Sequence, residues 1–156
     1  MTEMEKSIVV DAPLREVYNQ WTQFEDFPRF MDGILEVRQL DAKRLHWKAQ
    51  IGSAERVWQA EIVDQVPDRR IAWRSVTDVE HAGAVLFEPV TGNRTRVTLR
   101  MRYDPEGLAE NLGNALGFVA RQVQGDLERF RTLMEQRGRA TGGWRGEIHG
   151  DKVRET

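Results

Sequence analysis

LAENLGNALGFVARQVQGDLERFRTLMEQR, residues Leu108 to Arg137, decides the fold. Its apolar residues Leu108, Leu112, Leu116, Val119, Val123, Leu127, Phe130 and Met134 recur at steps of four, four, three, four, four, three and four. That is one stripe on a long α-helix, and a strand cannot carry it. Glu110, Asn111, Arg121, Gln122, Asp126, Glu128, Arg129 and Arg131 fall between them as the wet face. Asp104 supplies a capping carboxylate ahead of Pro105, a residue suited to the first helical position, and Gly138 supplies the stop. A stripe this long needs a large apolar surface to lie against.

Working backwards, the residues before the helix have a period of two. Val97, Leu99, Met101 and Tyr103 alternate with Arg96, Thr98, Arg100 and Arg102, so one face is apolar and the other basic or hydroxylic. Leu35 and Val37, then Leu45, Trp47, Ala49 and Ile51, alternate in the same way. Glu55 to Val66 is a longer strand whose facing is ambiguous, because Val57 and Trp58 are adjacent. Arg70 to Val76 and Ala82 to Val90 follow, separated by short turns such as Pro67-Asp68 and Thr91-Gly92-Asn93. At the N-terminus, Met4 to Val10 reads as a strand. Pro13 opens a helix with Leu14, Val17, Tyr18 and Trp21 on one side, and a second short helix runs from Phe24 to Phe30 around Pro28. The order is strand, two short helices, six strands and one long helix. Short hairpin links argue for an antiparallel meander, and its single apolar face must curl round the long helix. The fold class is α+β, with about seven strands. Residues 1–137 form the domain, and 138–156, lacking apolar periodicity, are expected to be a mobile tail.

At 156 residues the chain is long enough for one domain with a substantial core. A net charge of −2 gives no basic excess, so no nucleic-acid partner is expected. With no cysteine there is no disulfide framework and no thiolate metal site. Met1 to Lys6 lacks a signal pattern, and no apolar run approaches the roughly 20 residues that span a bilayer. The expectation is a cytoplasmic protein without stable membrane insertion, and a homodimer is compatible with it.

Two pieces of sequence are more specific. One is Asp11-Ala12-Pro13-Leu14-Arg15-Glu16-Val17-Tyr18-Asn19-Gln20-Trp21, followed by Phe24-Glu25-Asp26-Phe27-Pro28-Arg29-Phe30-Met31. The other is Ile71-Ala72-Trp73-Arg74-Ser75, then Gly83 to Pro89, then Thr95 to Leu99. Together they resemble the START and Bet v 1-like (SRPBCC) superfamily. Within it they are similar to the polyketide cyclase/dehydrase and coenzyme Q-binding (Coq10-like) branch. The resemblance implies a helix-grip fold with a cavity between sheet and long helix, open to an apolar ligand.

Chemistry-bearing residues are sparse. His46, His81 and His149 show no metal-ligand spacing, and only His81 lies at a strand start near the implied cavity mouth. Among the carboxylates Glu36, Glu61 and Asp26, Glu61 has the best claim on the interior, though a solvated position competes. No metal and no cofactor is expected. The ligand-lining candidates are Phe27, Phe30, Met31, Trp47, Trp58, Trp73, Phe87 and Tyr103, joined by Leu116, Gly117 and Ala120 on the long helix. Gly113, Gly117 and Ala120 share one flank of the stripe, where absent side chains would leave room for a ligand or for close packing. The leading expectation is binding or transport of an isoprenoid quinone, lipid or polyketide-like molecule. The alternatives are a polyketide aromatase/cyclase and a protein-interaction module.

Overall fold

The computed structural model describes residues 2–51, 53–76, 81–103 and 115–155, with side chains left aside at 2, 51, 103 and 115–121. Seven strands, β1 (Thr2–Val10), β2 (Ile34–Gln39), β3 (Arg44–Ile51), β4 (Ala54–Val66), β5 (Arg70–Ser75), β6 (His81–Val90) and β7 (Arg94–Tyr103), make one antiparallel sheet in the order β1-β7-β6-β5-β4-β3-β2. Helix α1 (Leu14–Trp21) and a 3-10 helix (Phe24–Arg29) carry the chain from one sheet edge to the other. The long helix α2 (Ala115–Arg137) returns to lie against β1. This is the helix-grip arrangement that the alternation and the stripe require. The proposed start of the helix at Asp104-Pro105, with Leu108 to Gly113, lies outside the described residues.

Register settles what the pattern left open on β4. Trp58 pairs with Trp47 and Val57 with Lys48, so Trp58 points inward, while Val57 stands half exposed on the outer face. A bulge between Ile62 and Asp64 then shifts the phase, and Gln65 turns inward opposite Ile71. A β-bulge lets two residues oppose one, which is how a polar side chain enters an otherwise apolar face. The outer face carries cross-strand charge pairs. Arg100 meets Glu5 at 2.5 Å, Arg96 meets Glu88 at 2.8 Å, and Arg102 meets Glu3 at 3.5 Å, each pair being cross-strand partners.

The core lies between sheet and helices. Val123, Leu127, Phe130 and Met134 of α2 are buried together with Val10, Tyr18, Ile62, Ile71, Val85 and Val97. Trp21 is the hub, with ring centroids 4.7 Å from Phe130, 5.7 Å from Phe30 and 5.6 Å from Phe27. Gly138 stops α2 at φ 74°, its N–H bonded to the Met134 carbonyl at 2.7 Å.

The region beyond Gly138 corrects the expected tail. It holds two further strands, β8 (Glu147–His149) and β9 (Lys152–Arg154), and β8 pairs with β4, giving nine strands among the described residues. Ile148 is 0% exposed in the core. On the way, the chain straps down across α1. Ala140 N–H donates to Glu16 Oε1 at 2.9 Å, Thr141 N–H to Gln20 Oε1 at 2.9 Å, and Trp144 N–H to Thr22 Oγ1 at 3.1 Å. These are backbone donors on polar side chains, and such contacts leave no hydrophobic period to read.

Candidate ligand-binding site

Alternation places Lys6, Ile8 and Val10 of β1, Val97, Leu99 and Met101 of β7, and His81, Gly83, Val85 and Phe87 of β6 on the inner face. Accessibility divides that face into two ends. Toward Val10, Val97 and Phe87 everything is buried beneath α1 and the C-terminal half of α2. Toward the other end Trp47, Trp58, Trp73, His81, Gly83 and Met101 all keep solvent-accessible surface although they point inward. These inward residues are covered only in part, so this end of the inner face is open by comparison with the Val10 end.

This open end is aromatic. Trp47 and Trp58 are cross-strand partners whose rings stack with centroids 5.7 Å apart and planes 7° from parallel. His81 meets Trp58 edge-on at 5.8 Å, and its backbone N–H donates to Ser75 Oγ at 2.9 Å. Phe27 braces Trp47 from behind at 5.6 Å. The indole Nε1 of Trp47 is buried with no acceptor among the described residues. Flat aromatic faces suit planar or polyunsaturated apolar molecules, and an imidazole at the rim adds one group able to exchange a proton. Among the described residues, no group of three His, Cys, Asp or Glu side chains could hold a metal ion. No described helix is long and apolar enough to cross a membrane.

The family model described as polyketide cyclase/dehydrase and lipid transport matches residues 10–131. The chain belongs to that family. An uncharacterized 17.2 kDa protein of Streptomyces lincolnensis, from the melC2–rnhH intergenic region, is 44% identical over 149 residues, covering 95% of this chain and 99% of that one. A Deinococcus radiodurans crystal structure superposes with a TM-score of 0.69 at 28% identity, over 86% of this chain and 98% of that one. The di-domain ARO/CYC BexL from the BE-7585A biosynthetic pathway gives 0.65 at 26% identity, over 86% of this chain and 47% of that one. This polyketide cyclase/dehydrase family protein thus has the START/SRPBCC fold that its motifs suggested.

Within the family fold the candidate residues separate. Trp47 and Trp58 stack on the open end, Trp73 lies further along opposite Ile62, and Met31 packs partly buried against the core. Phe27, Phe30 and Phe87 lie deeper, buried in the Trp21-centred cluster, with Phe27 reaching Trp47 at 5.6 Å. Pattern could not separate them from the tryptophans, since both sets share the apolar face and differ only in depth along the strands. Tyr103 is opposite His81 in register, but its side chain lies outside the described residues, as do those of Leu116 and Ala120, and the surroundings of Gly117. Glu61 is on the outer face, 3.4 Å from Arg74 and 3.9 Å from Lys43. Met101, Gly83 and Ser75 were missed, although strand parity counted from His81 would have found Gly83.

Two polar clusters brace the site from outside. Arg129 of α2 donates to the Phe30 carbonyl at 2.9 Å and to Asp126 at 2.6 Å, and Asp126 also accepts from Asp32 N–H at 3.2 Å. Burial pushes the Asp126 carboxyl up to about 6, with Arg129 pulling it back only in part. At the closed end Gln65 Nε2 donates to Tyr18 Oη at 3.0 Å, and Arg145 lies 5.5 Å over the Tyr18 ring. Burial raises that phenol to about 12, against the opposing hydrogen bond from Gln65 and the charge of Arg145.

Proposed function

We propose that this protein binds a hydrophobic small molecule, an isoprenoid quinone, lipid or polyketide-like chain, on the open end of the sheet's inner face. The observation that carries the reading is the stacked Trp47–Trp58 pair with His81 at its edge, inward-facing and yet accessible. A packed core has no use for accessible inward indoles, whereas an apolar pocket with one or two polar groups does. Family membership supports the same reading. The test is titration with an environment-sensitive naphthalene sulfonate dye and with a long-chain naphthoquinone, followed by calorimetry and thermal melts. Saturable binding with a rise in melting temperature is expected, since a ligand that prefers the folded state stabilises it by mass action. In Trp58→Ala the affinity should fall roughly tenfold, the loss of about one aromatic stacking contact. No binding by either probe to the parent would end the proposal.

A second reading, an aromatase/cyclase-type enzyme, is favoured by His81 at the rim and by the likeness to BexL. An imidazole there could move protons on a bound poly-β-ketone chain. His81→Gln separates the readings: a carrier keeps ligand affinity and loses nothing else, whereas an enzyme keeps affinity and loses turnover.

A further inference from the structure

We infer that Trp73, laid across Gly83, is the floor of the ligand space and sets the length of molecule the protein accepts; this rests on the binding reading above. Trp73 of β5 and Gly83 of β6 are register partners on the inner face. A Cβ at Gly83 would lie 2.6 Å from Cζ2 of the Trp73 indole and 2.8 Å from Cη2, closer than real carbon atoms approach. The benzo edge of the ring therefore occupies the volume that any other residue at 83 would fill. The indole lies down across β6 instead of standing into the grip. Beyond it, Val85, Phe87 and Ile71 are buried, while Ser75 and His81 on the near side are accessible. Trp73 is itself partly buried against the core, so it stands where the buried part of the inner face gives way to the partly accessible part.

A wedge that merely fills the core and a floor that selects ligands make different predictions. Removing a wedge lowers stability alone. Removing a floor lengthens the site, so the preferred ligand changes. The experiment is calorimetric titration of the parent, Trp73→Phe and Trp73→Leu with 1,4-naphthoquinones bearing 2-methyl, 2-butyl or 2-decyl chains, with a thermal melt of each variant. The ratio of decyl to methyl affinity should rise at least about tenfold in Trp73→Leu, the scale at which an apolar pocket discriminates by size, with Trp73→Phe between it and the parent. A cooperatively melting Trp73→Leu with the parent's length profile would overturn the floor while leaving the binding reading intact. Should Trp73→Leu fail to fold, Trp73→Phe decides by the same ratio. A parent that binds none of the three quinones would overturn the binding reading and the floor with it. Gly83→Ala is a poor tool, because its Cβ would also sit 2.7 Å from the Arg100 carbonyl oxygen and so disturb the β6–β7 ladder.

Discussion

The hydroxyl of Thr141 donates a 2.6 Å hydrogen bond to Asp26 Oδ2, joining the strap after α2 to the 3-10 helix 115 residues earlier. Asp26 also accepts from Gln20 Nε2 at 3.0 Å, and Phe27, its neighbour, braces Trp47. A short polar bond at the back of the domain is thus two residues away from the candidate site's aromatic wall.

Ending the chain after Arg139 is therefore expected to destabilise the domain, reversing what the unpatterned sequence of the strap suggests. The truncation removes the bonds to Gln20, Asp26 and Thr22, and it uncovers the space that Ile148 fills. Deleting a fully buried isoleucine side chain alone costs about 2–5 kcal/mol. In a domain of this size that is a fall of roughly 5–15 °C in melting temperature. Ile148→Ala in the full chain should reproduce a large part of the loss. A truncated protein that melts with the parent would show the strap to be only laid on the surface.

Two half-buried carboxylates, Asp126 and Asp26, act in opposite directions and in separate pH windows. Asp126 titrates at about 6 when folded, above its unfolded value, so its ionisation opposes folding. That penalty is complete above about pH 6 and gone below the ordinary carboxylate range near 4, so this group makes the protein more stable as pH falls from 7 to 4. For Asp26 burial acts to raise the pKa, but the hydrogen bonds from Thr141 and Gln20 and the charges of Arg29 and Arg137 hold it below the ordinary value. Its contribution is present above that value and is lost as pH falls below it. Asp126→Asn, whose amide oxygen can still accept from Arg129, should raise stability at pH 7.5 by on the order of 1–2 kcal/mol and flatten the profile between pH 7 and 4. Urea melts at pH 7.5, 5.5 and 4 read this directly. A destabilised variant at pH 7.5 would mean that the 2.6 Å pair with Arg129 outweighs the cost of burying the charge.

What could be read in advance follows the physics of each element. The α2 stripe and the β7 alternation were legible because burial there is periodic, and periodicity survives without coordinates. The bulge at Ile62 and Asp64 was not, because one added residue changes no composition and flips every later side chain. The strap was illegible for another reason. It docks through main-chain N–H groups and through Gly142 and Gly143, whose Cβ positions would meet Gln23 and Asn19, and no apolar pattern records such contacts. In the site, the three tryptophans were legible as inward aromatics, but which inward aromatics remain accessible depends on where α1 and α2 come to rest.

The outer-face ladder should matter little. Arg100 and Glu5, with side chains 63% and 54% exposed, and Arg102 and Glu3 are solvated pairs. Exposed pairs contribute about 0.2–1 kcal/mol, and salt screens them. Arg100→Ala should shift the melting temperature by no more than a few degrees and should leave dye and quinone binding unchanged. A loss of binding in this variant would place the ligand on the wrong face of the sheet.

The pair Tyr18 and Gln65 should show the opposite behaviour. Both are almost wholly enclosed, 0% and 1% exposed, and Gln65 stands inside only because of the β4 bulge. Its Nε2 is bonded to Tyr18 Oη, while its Oε1 has no donor among the described residues. Removing one partner strands a buried polar group, which costs about 1–3 kcal/mol, whereas replacing both by apolar groups of similar shape is nearly neutral. Tyr18→Phe leaves the Gln65 amide without its acceptor, and Gln65→Leu leaves the phenol without its donor. Each single variant is expected to lose stability in that range, and the double variant should lose less than the sum of the two. A double-mutant cycle from urea melts measures the coupling, expected at about 0.5–3 kcal/mol. Additive losses would show that the two side chains are buried side by side without depending on each other. The bulge would then have no stabilising hydrogen bond to account for the glutamine it turns inward.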